Sequence, residues 1–239
     1  MKNLTLTNMD KLPYMVEEAM NRLMVNFRLC GDEFKTIVVT SSLPNEGKSF
    51  ICAHLWRLLA EGRHKTLLID ADIRKSVLRG RYQINTDQED GPAGDLPLYL
   101  SGQLPLEDVI YSTNILHGFM IPTFRTVANP TILLQSPRFP EMLDKLKDIV
   151  DYILVDTPPL NNVADGGQIA SYCDGAVLVI RGGNTPKELV ENSAKQLELS
   201  NCKLMGTVLN RVEQKQNGYY SKYYKYGYGY GYGEKKKKK

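Results

Sequence analysis

Short apolar runs alternate with longer amphipathic segments along most of this 239-residue chain. Five apolar runs predict buried strands: TIVVTS (36–41), KTLLIDAD (65–72), YILVDTPP (152–159), GAVLVIRG (175–182) and LMGTVLNRV (204–212). Helical spacing predicts helices over 14–29, 50–62, 104–110 and 131–149, the second of them ended by Gly62. Apolar strands that alternate with helices predict an α/β fold, in which a parallel sheet is covered by helices on both faces.

Both ends of the chain lack this pattern. Residues 1–13 predict a flexible N-terminal arm, residues 14–213 a single domain, and residues 214–239 a disordered tail rich in tyrosine, glycine and lysine. The polar, turn-rich residues 85–97 predict a mobile loop.

From residue 219 onward seven lysines and one glutamate give the tail a formal charge of +6, which leaves −3 on the other 218 residues because the total is +3. The basic character belongs to the tail, so no nucleic-acid groove is predicted.

Cysteine spacing and hydropathy bear on location. The four cysteines form no CxxC pair, so neither a disulfide framework nor a zinc site is predicted. No run approaches the ~20 apolar residues that span a bilayer, and the first residues lack the apolar core of a signal peptide. We therefore expect a cytoplasmic protein that associates with the membrane through a partner.

The segment SLPNEGKS (42–49) lies between a predicted strand and a predicted helix. It matches the phosphate-loop pattern GxxxxGK[ST], except that Ser42 replaces the first glycine. Backbone amides at the helix N-terminus can surround a phosphate, and the lysine and serine of the motif can reach phosphate oxygens and Mg²⁺. We interpret the segment as a nucleotide site, rather than as a chance match in a solvated loop, formed by Asn45, Glu46, Gly47, Lys48, Ser49 and Phe50.

Three acidic residues end predicted strands. Asp70 and Asp72 follow the second strand, and alternate residues of an extended chain point the same way. One of them can hold Mg²⁺ while the other accepts a proton from an attacking hydroxyl; the alternative is that one only caps the next helix. Asp156 ends an apolar strand, where an unpaired carboxylate is costly and a Mg²⁺ partner explains it. With Lys48, these acids predict a phosphoryl-transfer site.

Together these motifs resemble the bacterial tyrosine kinases (BY-kinases) of capsular and exopolysaccharide synthesis. The resemblance covers roughly residues 14–232 and also rests on VANPTILLQS (127–136), ILVDTPPLNNVAD (153–165), VLNRV (208–212) and the terminal tyrosines. It implies a P-loop NTPase fold of the MinD/ParA type with a deviant Walker A motif. It also implies ATP and Mg²⁺ as cofactors and autophosphorylation of the tail between subunits.

The resemblance assigns roles to particular residues. It implies catalytic roles for Lys48, Asp70 and Asp72, metal binding by Ser49, Asp72 and Asp156, and a nucleotide contact from Asn210. Asp70 is favoured as the proton acceptor, although the division of roles between Asp70 and Asp72 stays open. Arg74 either holds a phosphate or the donated tail, or is an ordinary surface arginine. The implied acceptors are Tyr219, Tyr220, Tyr223, Tyr224, Tyr226, Tyr228, Tyr230 and Tyr232.

The resemblance also implies partners. They are a membrane chain-length regulator that activates the kinase, a second copy of the chain for phosphorylation in trans, and a tyrosine phosphatase. Family members carry Glu-x-x-Arg-x-x-Arg on an N-terminal helix that packs subunits into a ring. Here Glu18 is kept, but Asn21 and Met24 stand where the arginines are expected, so a ring of the usual geometry is in doubt.

A regulatory ATPase of the MinD/ParA kind, without tyrosine kinase activity, is the alternative. Such proteins carry a signature lysine just after the first phosphate-loop position, where this chain has Leu43. Their membrane contact is an amphipathic helix, whereas residues 218–239 have many glycines and no apolar stripe. Both differences favour the kinase.

Overall fold

The computed structural model describes residues 2–9, 11–86, 93–127 and 129–212. Its strands are Lys2–Leu6 (β1), Thr36–Ser41 (β2), Thr66–Asp70 (β3), Ile84–Thr86 (β4), Tyr111–Thr113 (β5), Gly118–Ile121 (β6), Tyr152–Asp156 (β7), Gly175–Arg181 (β8) and Lys203–Asn210 (β9). Its helices are Tyr14–Arg28 (α1), Lys48–Glu61 (α2), Leu78–Tyr82 (α3), Leu96–Leu100 (α4), Pro130–Leu134 (α5), Arg138–Lys147 (α6), Asp165–Ala170 (α7) and Lys187–Leu199 (α8), with a short 3₁₀ helix at Leu106–Asp108.

The strands form one sheet in the order β4-β1-β5-β6-β3-β7-β2-β8-β9. From β6 to β9 every neighbouring pair is parallel, while β4 pairs with β1 and β5 with β6 in antiparallel fashion. The parallel strands place their carboxyl ends along one edge. The predicted α/β fold with a parallel central sheet is therefore confirmed, with antiparallel additions on one side.

Alternating side chains of the central strands supply two separate cores. On β3, Leu67 and Ile69 enter the core beneath α4, α6, α7 and α8, whereas Leu68 enters the core beneath α1, α2 and α3. The same alternation on β7 sends Ile153 and Leu154 to opposite faces. Because helices cover both faces, these strands are apolar at successive positions instead of every second one.

The structure corrects the expectation of a loose arm at the N-terminus. Lys2–Leu6 forms β1, which pairs in parallel with β5 and antiparallel with β4. The physical reason is burial: the alternating Leu4 and Leu6 are 1% and 3% exposed and belong to the core that α2 covers. Five residues with two inward leucines are a strand signal too short to stand out from the sequence alone.

Two predicted helices are shorter than expected. The segment 104–110 contains only the 3₁₀ helix Leu106–Asp108, and the segment 131–149 is divided into α5 and α6. Pro137, which has no amide hydrogen to continue the helix ladder, precedes the first residue of α6. Residues 87–92 of the predicted mobile loop, and the predicted tail with all its tyrosine acceptors, lie outside the described residues. Among the described helices, none is long and apolar enough to cross a membrane.

Candidate active site

The predicted site residues converge at the carboxyl edge of three adjacent strands, β3, β7 and β2. Asp70 and Asp156 are register partners at the ends of β3 and β7, and Val39 of β2 pairs with Asp156 on the other side. The phosphate loop leaves β2 immediately beyond this point and enters α2. Loops that are far apart in sequence thus meet, as expected for a ligand site in an open α/β sheet.

Gly47 is the residue at which the phosphate loop turns into α2. Its φ is +99°, a left-handed conformation that favours glycine. A Cβ at this position would lie 2.1 Å from Nδ2 of Asn210, which donates a 2.8 Å hydrogen bond to the backbone oxygen of Glu46. Glycine is required here both by backbone conformation and by the close approach of Asn210.

The carboxylate of Glu46 is turned into the protein and holds the loop in place. It accepts a 2.7 Å hydrogen bond from the amide of Leu43, another from the amide of Arg181 at 3.3 Å, and one from the hydroxyl of Thr185. Glu46 is 2% exposed. Its side chain therefore shapes the loop, which leaves its backbone amide as the group suited to a phosphate.

Ser42, the residue that replaces the first glycine of the motif, has a structural partner. It is fully buried, and the hydroxyl of Ser193 on α8 donates to its Oγ at 2.9 Å. Its backbone oxygen accepts from Nδ2 of Asn161 at 3.2 Å. The serine thus attaches the start of the phosphate loop to α8 and to the loop after β7, an arrangement that a glycine could not provide through its side chain.

Lys48 lies between two carboxylates. Its Nζ is 3.0 Å from Oδ2 of Asp72 and 3.7 Å from Oδ1 of Asp156, and it donates to the Ser49 hydroxyl at 3.2 Å. Burial lowers the pKa of Lys48, but attraction by Asp156 and Asp72 outweighs it, so the pKa is raised on balance. Lys48 is therefore charged at neutral pH and is held where a phosphate would meet it.

Asp70 and Asp156 are buried acids with oxygens that lack a donor. Oδ1 of each is buried without a hydrogen-bond partner in the part of the chain that the structure describes, while Oδ2 of Asp70 accepts from the Ser76 hydroxyl. Burial and then the charge of Asp156 raise the pKa of Asp70 well above its usual range. Burial also raises the pKa of Asp156, against the opposing attraction of Lys48. An Asp70 carboxylate of raised pKa is a better proton acceptor than an ordinary one.

The side-chain oxygens of the site suit Mg²⁺ as ligands. Buried carboxylate oxygens that accept no hydrogen bond, beside one lysine, leave negative charge that a hard cation would compensate. The described residues contain no group of three or more metal-ligating side chains that could enclose an ion by themselves. This is the pattern of Mg²⁺ sites, which take one or two carboxylates and complete their octahedron with phosphate oxygens and water. Ser49, Asp72 and Asp156 are the residues that would hold it.

Arg74 joins the loops that carry the acids. Its Nε and Nη2 donate to both oxygens of Asp165, a fully buried residue at the start of α7, and Nη2 also donates to the Thr131 hydroxyl at 2.9 Å. Thr131 in turn donates to Asp165 at 2.8 Å. The next amide, that of Lys75, donates to Oδ1 of Asp72 at 3.1 Å. Arg74 thus connects the turn that carries Asp72 to α5 and α7, while a role in holding a phosphate or the donated tail stays a prediction.

The remaining predicted residues lie around the phosphate loop. Asn45 precedes Glu46 with a φ of +65°, and Phe50 in the first turn of α2 is half-buried, with its ring centroid 4.3 Å from that of His54. On α1, the side-chain nitrogen of Asn21 is 3.5 Å from Oε1 of Glu18, and Met24 packs against the core. The helix therefore presents neither arginine of the expected motif.

Sequence reasoning did not identify several residues that support the site. These are Ser76, Thr123, Thr131, Thr185, Ser193 and Asp165, each bonded to a phosphate-loop residue, an acid or Arg74. Asp165 ends the quoted segment ILVDTPPLNNVAD, and Thr131 lies in VANPTILLQS, so membership in these segments was the available signal. Isolated serines and threonines carry no comparable pattern.

Comparison with known proteins shows the family to which the chain belongs. The family model described as the CobQ/CobB/MinD/ParA nucleotide binding domain matches residues 37–229. A relative named tyrosine-protein kinase CpsD from Streptococcus agalactiae is 39% identical over 211 residues, which is 88% of this chain and 90% of that protein.

Solved structures extend the comparison. The kinase domain of the Escherichia coli tyrosine kinase ETK superposes with a TM-score of 0.75 at 27% identity, over 90% of this chain and 80% of the other. The septum site-determining protein MinD from Pyrococcus horikoshii superposes with a TM-score of 0.64 at 23% identity, over 76% of this chain and 72% of the other. The second likeness concerns the fold alone.

Proposed function

The chain belongs to the tyrosine-protein kinases of the CobQ/CobB/MinD/ParA nucleotide-binding family, and on that basis we propose that it transfers the γ-phosphate of ATP to tyrosines of its own C-terminal tail. The observation that carries the proposal is the position of Lys48, 3.0 Å from Asp72 and 3.7 Å from Asp156 at the end of the phosphate loop, beside Asp70 with its unpaired oxygen.

The chain's own residues divide the work of the reaction. Backbone amides of the phosphate loop and Lys48 bind the phosphates of ATP, and Lys48 opposes the charge that develops during transfer. Asp70 accepts the proton of the attacking phenol. The phenolic oxygen forms a bond to the γ-phosphorus as the bond from that phosphorus to the bridging oxygen breaks, which releases ADP. Mg²⁺ supplies charge neutralisation on the phosphates when it is bound by Ser49, Asp72 and Asp156.

The tail is proposed as the acceptor because eight of the 14 tyrosines lie between residues 219 and 232. The 20 residues from 213 to 232 could span about 65 Å when extended at ~3.3 Å per residue, enough to enter the site of a neighbouring subunit. Phosphorylation in trans within a homo-oligomer is therefore proposed. Since Asn21 and Met24 stand where the ring motif has arginines, we propose that the contacts of that oligomer differ from the usual ones.

The wider role follows from the family resemblance. We propose that the kinase regulates capsular or exopolysaccharide synthesis from the cytoplasm. Its activator would be the membrane chain-length regulator of that system, through which it associates with the membrane, and a cognate tyrosine phosphatase would reverse the modification. The lysines at positions 235–239 would add about 1 kcal/mol each near an anionic membrane surface.

The test is phosphate mapping on the full chain. Purified protein is incubated with Mg²⁺-ATP, with and without the cytoplasmic segment of the membrane partner, and modified tyrosines are located by mass spectrometry. We expect phosphate on the tail in wild type and in Lys145→Met, which changes an exposed lysine of α6, and none in Lys48→Met.

Mixing separates phosphorylation in trans from phosphorylation within one chain. Active protein truncated after residue 212 is mixed with full-length Lys48→Met, and phosphate is expected on the inactive chain. If the tail tyrosines of wild type stay unmodified under both conditions while ATP is hydrolysed, the protein is a regulatory ATPase instead of a kinase.

A further inference from the structure

A cationic segment follows β3 and borders the site. Between Ile73 and Thr86 the chain has four cations and no aspartate or glutamate, in a body whose net formal charge is −3. Arg74 is neutralised by Asp165, but Lys75 and Arg79 are exposed and have no carboxylate within ion-pair distance in the described ranges. We call Lys75 and Arg79 the cationic rim.

The rim is adjacent to the reacting groups. The backbone amide of Lys75 donates a hydrogen bond to Oδ1 of Asp72. The other carboxylate oxygen of Asp72 is paired with Lys48, so the backbone of Lys75 lies next to the phosphate-binding lysine's partner. Arg79 lies over the ring of Phe124, with its guanidinium carbon 5.1 Å from the ring centroid. Phe124 follows Thr123, whose hydroxyl donates to the backbone oxygen of Asp70 at 2.7 Å. The backbone of Lys75 and the guanidinium of Arg79 therefore border the acids on the β3–β6 side.

The contact with Phe124 prepares Arg79 for an anion. A guanidinium stacked over an aromatic ring is held in one orientation, and the N–H groups at its edge stay available. Arginine binds phosphate through two parallel hydrogen bonds, and a neighbouring lysine adds a point charge. The pair is thus suited to a phosphate monoester presented on a peptide.

We propose that the cationic rim binds phosphotyrosines already formed on the tail, and that this retention makes multi-site phosphorylation processive. The proposal rests on the proposed kinase function and adds a regulatory contact to it. An unmodified tail, with its formal charge of +6, is repelled by the rim. Each phosphate adds about −1.5 to −2 charges, so each transfer weakens the repulsion and supplies a local anion for the rim, and three or four transfers cancel the formal charge of +6.

The spacing of tyrosines in the tail agrees with processive phosphorylation. Successive acceptors are one to three residues apart, and from residue 224 to 232 a tyrosine occupies every second position. Two extended residues span roughly 6.6 Å, so a phosphotyrosine held on the rim keeps the next acceptors within one or two such steps. The tail then advances along the site while ADP is exchanged for ATP.

Intact-mass measurements at early times test processivity. Full-length protein is incubated with Mg²⁺-ATP, and the distribution of phosphates per chain is recorded for three proteins. These are wild type, the rim variant Lys75→Gln/Arg79→Gln, and the control Lys145→Gln/Lys195→Gln, which removes the same charge from α6 and α8 on the other face of the sheet.

Wild type and the control are expected to show unmodified and highly modified chains with few intermediates. The rim variant is expected to show a ladder of intermediates, with later phosphates slowed at least tenfold relative to the first. An unchanged distribution in the rim variant would overturn the proposal.

Binding provides a second readout that needs no turnover. A fluorescent peptide of residues 218–232, unmodified or with phosphotyrosine at position 228, is titrated with each protein in the absence of ATP. We expect the phosphopeptide to bind wild type at least tenfold more tightly than the unmodified peptide, and we expect the rim variant to lose that preference. Equal binding of both peptides to wild type, or an unchanged preference in the rim variant, contradicts the proposal. If wild type acquires no phosphate at all, the proposed kinase function is wrong. The peptide titration alone then tests whether the cationic rim binds phosphotyrosine.

Discussion

The side-chain amide of Asn210 donates a 2.8 Å hydrogen bond to the backbone oxygen of Glu46. The last residue of the edge strand β9 is thereby attached to the phosphate loop. The oxygen of the same amide accepts from the backbone of Arg211 at 2.9 Å, and Arg211 adopts a φ of +52°. One side chain thus holds the loop and also fixes the turn from which the chain continues toward its tail.

Gly47→Ala is expected to disable nucleotide binding for two separable reasons. The new Cβ would meet Asn210 at 2.1 Å, and alanine is strained at a φ of +99°. The backbone strain costs about 1–2 kcal/mol and remains when the clash is relieved. We therefore expect Gly47→Ala/Asn210→Ala to recover part of the thermal stability but little of the ATP affinity, as measured by differential scanning fluorimetry and titration calorimetry. Full recovery would mean that the clash alone matters.

Arg74→Lys is expected to reduce transfer at least tenfold without unfolding the domain. Lysine cannot reproduce the two parallel hydrogen bonds to Asp165, so the turn that carries Asp72 loses its anchor. The loss should fall on kcat, with KM for ATP changed less than threefold, because the phosphate loop is untouched. Thr131→Val removes only the neighbouring hydroxyl and should have a smaller effect of the same kind.

A double-mutant cycle tests the pairing directly. Arg74→Gln leaves the buried Asp165 carboxylate underpaired, at a cost of about 1–3 kcal/mol in the free energy of unfolding. Arg74→Gln/Asp165→Asn should recover most of that cost, because the buried charge is gone. Additive losses in urea unfolding would show that the two residues act independently.

Asp70→Asn is expected to stabilise the nucleotide-free protein while it abolishes transfer. Burial and the nearby Asp156 raise the pKa of Asp70, so ionisation of its carboxyl group costs stability in the folded state; this cost is full above the raised pKa, shrinks as pH falls below it, and is absent below the ordinary pKa of 3.8. The asparagine removes this cost. A gain of about 1 kcal/mol would raise Tm by roughly 2–4 °C.

Asp144→Asn, at an exposed position of α6, is the matched control for Asp70→Asn. In metal-free buffer its Tm should equal that of wild type. With Mg²⁺-ATP its phosphorylation should also equal that of wild type. A lowered Tm in Asp70→Asn would show instead that the carboxylate contributes to stability.

His54 is expected to make the fold acid-sensitive. Burial, together with Arg57 on its own helix and Arg81 on α3, lowers its pKa from 6.5 to about 4, and its other neighbours are the rings of Phe50 and Tyr82. Because the pKa is depressed in the folded state, the stability contribution is full above pH 6.5 and is lost as pH falls through 4. Between these values the unfolded chain binds up to one more proton, a slope of about 1.4 kcal/mol per pH unit.

His54→Gln should remove this proton uptake. Urea unfolding of wild type and variant between pH 4 and pH 7.5 is the measurement. The difference in their free energies of unfolding should vary with pH below 6.5 and stay constant above it. Parallel curves over the whole range would contradict the assignment.

The sequence predicted much of the site because its main signals are local. Asp70, Asp72 and Asp156 each end an apolar run, and the pattern around Lys48 lies within one loop and the first turn of a helix. Strand ends of a parallel sheet lie at one edge, so these separate segments could be placed together before any distance was known. The two errors in the predicted elements have an equally local cause. The short β1 and the break at Pro137 each give a sequence signal of only a few residues.

The contacts that shape the site depend on the order of the strands. Ser42 bonds to Ser193, 151 residues away, Arg74 to Asp165, 91 residues away, and Glu46 to Asn210, 164 residues away. No local pattern encodes these pairs, because each forms only after the sheet has placed β3, β7, β2, β8 and β9 side by side. The sequence alone determined which chemical groups the protein has and at which edge they meet. The tertiary structure decided which partner holds each of them, since hydrogen-bond geometry between distant residues is set by packing and not by spacing along the chain.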